Sequence, residues 1–144
     1  MPASKRPRKA HRPRIIARPV FEGMRRELMI PAHAALRVLE RVRDPEALEG
    51  ARHTLAACLS YMAAALDGAG YEIGPIGAGL DALQAVIDRH ARTGVYGATG
   101  PELVALRDAL THADGAIPAL NTAELARGML RVYAAYEAGT HSNT

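Results

Sequence analysis

Residues 44–68 read DPEALEGARHTLAACLSYMAAALDG, and this stretch decides the fold class. Asp44 is a good helix N-cap, because its carboxylate can accept a hydrogen bond from a first-turn N–H that has no helical partner. Pro45 suits the first helical position, where an N–H is not needed. Glu46 and Glu49 place negative charge against the positive end of the helix dipole. Leu48, Arg52, Leu55, Leu59, Met62 and Leu66 then recur at 4-3-4-3-4 spacing, which puts them on one face of a helix. Only Arg52 breaks the apolar stripe, near its exposed start. The glycines from Gly68 to Gly70 stop it. The spacing predicts a helix over 45–67.

The same grammar repeats outward from this segment. Upstream, Ala35, Leu36, Leu39 and Val42 have helical spacing behind Pro31, which predicts a helix over 31–43 with the proline in its first turn. A short helix over 22–29 precedes it. Downstream, Ile76, Leu80, Leu83, Ile87 and Ala91 form a stripe closed by Gly94, which predicts a helix over 75–93. Thr99 and Glu102 match a capping box, with Pro101 inside the first turn. Leu103, Leu106, Leu110 and Ala113 continue it over 101–114, and Gly115 and Pro118 end it. Asn121 with Glu124 starts the last helix. Its stripe is Leu125, Met129, Val132 and Tyr136, and Gly139 closes it. Residues 140–144 are expected to fray.

Composition agrees with this reading. Ala and Leu, both strong helix formers, are abundant, whereas the chain has one Phe, five Tyr and no Trp. No run of β-branched residues reaches strand length. The expected fold is all-α, a compact bundle of about five helices joined by short connections, with sequential neighbours antiparallel. The bundle is expected over 21–139. Its roughly 120 residues suffice for a core without disulfide or metal support.

Charge divides the chain in two. Lys5, Arg6, Arg8, Lys9, Arg12, Arg14 and Arg18 stand in a stretch with no acid, giving +7 over residues 1–18. The other 11 cations and the 15 acids leave −4 for the remainder. The segment MPASKRPRKAHRPRIIARPV also has four prolines and few apolar residues. It cannot bury enough surface to offset its ordering entropy, so residues 1–20 are expected to be a disordered basic arm. Such an arm suits contact with nucleic-acid phosphates, which needs charge and reach but no fixed fold. Arginine dominates it and can grip phosphate in a bidentate way. A solubilising tail or a protein-docking segment would have the same composition. Sequence-specific reading is less supported. No body helix is basic enough for a recognition helix, and no basic-aromatic interleaving suggests base stacking.

Other chemistry finds little support. The single cysteine, Cys58, excludes an internal disulfide and fits a reducing cytoplasm. It flanks the core stripe, where a buried thiol is inert, so a structural role is favoured over a nucleophile. His11, His33, His53, His90, His112 and His141 are scattered, without HExxH or CxxC spacing, so no metal or other cofactor is expected. The glycines of EIGPIGAGLDAL resemble a phosphate-binding turn, but no strand precedes them and no Walker lysine follows. Helix starts and close packing account for them, and for VYGATGPEL. Arg37 and Arg41 share a helix face near Glu40 and Arg43. They either extend the basic arm onto the body or form a solvated face with local ion pairs. Tyr133 and Tyr136 read as the edge of the core with hydroxyls in water, in preference to a partner-binding patch. No apolar stretch approaches the length of a membrane span, and no apolar region follows the basic start as in a signal peptide.

From Asp44 onward the chain resembles small, uncharacterised helical proteins of bacterial phages and mobile elements, often labelled Fis-like transcriptional regulators. The resemblance rests on the Pro-Arg start HRPRIIARPV and on AGLDALQAVIDRHARTGVYGATGPELVALRDALTHADGAIPALNTAELARGMLRVYAAYEAG. It is a likeness of spacing and style over most of the chain. It implies a bacterial, mobile-element origin and supplies no functional residues. A Fis-type protein ends in a markedly basic helix, whereas the last helix here offers only Arg127 and Arg131.

The expected function is a non-enzymatic, cytoplasmic accessory protein. It contacts DNA or RNA backbones through the arm and acts in a regulatory role on a phage or mobile element. The alternative is a protein-interaction or self-associating module with a solubilising tail. Such a module predicts an exposed apolar patch around Tyr133 and Tyr136.

Overall fold

The computed structural model describes the backbone of residues 12–142; the side chains of 12–22, 24, 25 and 140–142 are outside that description. Among the described residues five α-helices follow one another: α1 (Arg12–Arg41), α2 (Pro45–Gly68), α3 (Pro75–Thr93), α4 (Gly100–Ala116) and α5 (Thr122–Ser142). A short 3-10 turn, Ile117–Ala119, joins α4 to α5. No strand occurs among the described residues. The fold is the expected all-α bundle.

The helix starts form as the sequence requires. Asp44 accepts a hydrogen bond from the Ala47 N–H at 3.0 Å. Thr99 and Glu102 cap each other's backbone at 3.3 and 2.9 Å. Asn121 and Glu124 do the same at 2.8 and 2.9 Å. Each pair satisfies two donors that the first turn leaves open. At the other end of α3, the Gly94 N–H closes the helix on the His90 carbonyl.

Four boundaries differ from expectation. α1 begins at Arg12, inside the stretch 1–20 expected as the arm, of which residues 1–11 lie outside the described residues. Pro31 does not start a helix, because α1 runs through it from Arg12. The proline removes one bond to the Glu27 carbonyl. Met29, Ala32, Ala35 and Leu36 are buried on either side of it, and their packing offsets that loss. Likewise α4 continues past Gly115 to Ala116, and α5 continues through Gly139 to Ser142. A glycine inside a helix costs only about 1 kcal/mol relative to alanine, so it weakens a helix without ending it.

The core lies among α1 to α4. α2 is central, packing against α1 and α3 and touching α4, while α3 pairs closely with α4. Leu55, Leu59, Met62, Ile76, Leu83, Leu106 and Leu110 are fully enclosed. The α2 stripe is buried as expected, except for half-buried Arg52. The α3 stripe is rotated. Ile76, Gly79, Ala82, Leu83 and Val86 face inward, while Leu80 and Ile87 are half-buried and Ala91 is exposed. The small residues decide this rotation. A Cβ on Gly79 would collide with the Ala109 Cβ of α4, so α3 and α4 approach through their smallest side chains.

α5 is the peripheral helix. It lies along α2 and meets α1 only at its margin. Among its described residues Leu125 is the one large core side chain. Met129 and Val132 are half-buried, and Tyr136 is exposed.

Polar links fix the helices at their rims. Arg89 holds both carboxylate oxygens of Glu102, with Nη1 to Oε1 at 3.0 Å, and also donates to the Gly97 carbonyl at 2.8 Å. It thereby clamps the 94–99 connection. The Glu102 carboxyl is held below its usual range, mainly by the Arg89 hydrogen bonds and further by the Thr99 backbone. A depressed folded-state value adds stability in full above the ordinary value near 4.5. That stability is lost as pH falls through the folded-state value. Glu102→Gln keeps the capping geometry and removes the charge. It is therefore expected to be less stable than wild type at about pH 6, with the gap narrower at about pH 3, below the ordinary carboxylate value. Urea unfolding at the two pH values measures this; a gap of equal size at both would contradict it.

Candidate functional site

The cations of the arm fall largely outside the description. Lys5, Arg6, Arg8 and Lys9 precede the described residues. Arg12, Arg14 and Arg18 stand in the first turns of α1, with their side chains outside the description. The body's own arginines are dispersed. Glu40 pairs with Arg107 of α4 at 3.1 Å, so it joins two helices instead of neutralising Arg37 or Arg41, which are exposed. In α5, Arg131 donates to the Ala64 carbonyl at 3.2 Å and to Asp67 at 3.4 Å. It is a staple to α2, although it is exposed, as is Arg127.

Cys58 is buried beside Met29, whose sulfur is 3.7 Å away. Burial, reinforced by the negative charge of Asp114, pushes its thiol up to about 12. A thiolate is the reactive form of cysteine, so this residue is a poor nucleophile. His33 lies 3.9 Å from Asp114, and His53 lies 3.9 Å from Glu49. His90 stacks on Tyr96 with ring centres 3.6 Å apart. Among the described residues no three His, Cys, Asp or Glu side chains gather as metal ligands would. Of the two glycine stretches, Gly79 is used for helix packing and VYGATGPEL for the Thr99 cap and the Arg89 clamp.

A further surface feature among the described residues lies along α2 and α5. His53, Ala56, Ala57, Ser60 and Tyr61 of α2 and Val132, Tyr133 and Tyr136 of α5 line a shallow groove. The Tyr61 and Tyr133 rings sit 5.8 Å apart, tilted by 43°. Hydrogen bonding with Tyr133, then burial, raises the Tyr61 phenol above its usual range. Tyr133 and Tyr136 are 52% and 75% exposed, and Leu130 on the same helix is 66% exposed. Both tyrosines are thus surface residues, more exposed than a place at the edge of the core expects. Leu130 escaped the stripe reading because it falls off the 125–129–132–136 line. A leucine opposite a helix's buried face is the signal that marks it.

Among the described residues no helix is long and apolar enough to cross a membrane. Neither a family model, nor a curated protein, nor a solved structure matches this chain.

Proposed function

We propose that this protein is a non-enzymatic helical accessory protein that contacts nucleic-acid phosphates through its basic N-terminal arm. The observation that carries this reading is the charge split: seven cations and no acid over residues 1–18, against −4 for the rest. In the described body, three of the five arginines on α3 to α5 are engaged in ion pairs between helices, so the uncompensated positive charge is concentrated in the arm. A regulatory role on a phage or mobile element belongs to the same reading; the resemblance described above supports the mobile-element origin alone.

Replacing the seven cations with glutamine tests it while keeping the chain length. The intact protein is expected to bind duplex or single-stranded nucleic acid at about 50 mM salt. If all seven cations meet phosphate, it should lose roughly a thousandfold in affinity by about 200 mM. The neutralised variant should show little binding at either salt concentration. An intact protein that does not bind at low salt, or a variant that binds as well, would overturn the reading.

The second reading, a protein-interaction or self-associating module, is favoured by the exposure of Leu130, Tyr133 and Tyr136 on a helix that packs on one side only.

A further inference from the structure

α5 has two faces of opposite character. Leu125, Gly128, Met129 and Val132 are buried or half-buried on one side, where Gly128 meets Ala65 of α2. Half a turn around the helix, Arg127, Leu130, Ala134 and Glu137 recur at 3-4-3 spacing and form one stripe. All four are exposed, and Ala126 and Tyr133 flank them, also exposed. An apolar centre on a peripheral helix is thus bounded by a cation at one end and a carboxylate at the other.

We propose that this face binds a second copy of the chain, with the two α5 helices antiparallel about a two-fold axis near Val132. The stripe is its own complement in that arrangement. The positions of Arg127 and Glu137 are equidistant from Val132, and so are those of Leu130 and Ala134. Antiparallel pairing therefore sets Arg127 of each copy against Glu137 of the other, and the large Leu130 against the small Ala134. A parallel pairing in register would oppose like charges at both ends and leucine to leucine at the centre. An isologous contact requires a patch that matches itself under a two-fold rotation, and the charges select the antiparallel sense. The contact spans one helix face, so the dimer is small and its Kd falls in the micromolar range. It would also place two seven-cation arms on one particle. The inference does not depend on what the arms bind.

Sedimentation velocity on the full chain, freed of nucleic acid and run from about 5 to about 300 µM, tests it. Wild type is expected to shift from monomer to dimer across this range. Leu130→Glu, which alters an exposed position, should remain monomeric while keeping its circular dichroism and Tm. Arg127→Glu and Glu137→Arg should each weaken the dimer about tenfold or more, and the double swap should restore it. A wild type that is monomeric at every concentration overturns the proposal. So does a dimer indifferent to Leu130→Glu. A double swap that fails to restore the dimer overturns the antiparallel register. Because the arm is untouched in every variant, these outcomes are separate from those of the nucleic-acid assay.

Discussion

Gly128→Val is expected to lower the unfolding free energy by about 3 kcal/mol, near the upper end of what overpacking a helix contact costs. Gly128 faces α2 where the two helices cross. A Cβ there would lie 2.6 Å from the Ala65 backbone nitrogen and 2.8 Å from its Cα. These are backbone atoms in a helix, so no rotamer change relieves the collision; α5 as a whole must move away. Alanine at the same position gains up to about 1 kcal/mol in helix propensity, yet it meets the same atoms and should also destabilise. Gly50, in α2, is the matched control. Nothing lies within 4 Å of a Cβ added there, so Gly50→Ala should stabilise by up to about 1 kcal/mol. Urea denaturation of the three variants decides the matter, and a Gly128→Ala variant more stable than wild type would refute the packing argument. Because α5 places only Leu125 among the large core side chains, the defect should be felt locally first. Amide exchange in α5 should speed up more than in α2 or α4.

Leu59→Ala is expected to cost about 2–5 kcal/mol, the usual range for a cavity in a closed core. Leu59 is fully buried in the middle of α2, which touches all the other helices. One of its methyls lies 3.3 Å from the place a Cβ on Gly79 would occupy. The surroundings are α-helices fixed by one another, so they cannot collapse fully into the space left. Against a typical domain stability of about 5–15 kcal/mol, the loss is large enough to see as a lower Tm and an earlier urea midpoint. Val104→Ala, on the exposed face of α4, should stay within about 0.5 kcal/mol of wild type. Equal effects at the two positions would mean that the α2 stripe is not the centre of the core.

The helices were legible because their local signals agreed with each other. Asp44 with Pro45, Thr99 with Glu102, and Asn121 with Glu124 each combine a cap with an apolar stripe, and each stands at an observed helix start. Pro31, Gly115 and Gly139 were misleading for one shared reason. Each carries a local penalty of a few kcal/mol or less, and packing or helix continuation outweighed it. The α3 face was misjudged because spacing ranks residues by hydrophobicity. The helix instead turned Gly79 toward α4 and buried Ala82 beside it.

For the functional surfaces, sequence and structure divide the information. The sequence by itself determined the all-α class, the starts of α2 to α5 and the charge split that singles out the arm. Those properties reside in residues close together in the chain, so neighbours suffice to express them. Only the tertiary structure decided that α5 would be peripheral, that Arg131 would be tied to Asp67 while Arg127 faced outward, and that Leu130 would lie opposite the buried face. A helix shows in sequence which side is more apolar. Which of its sides is covered depends on how closely distant backbones can approach, and here the contact between Gly128 and Ala65 sets that distance.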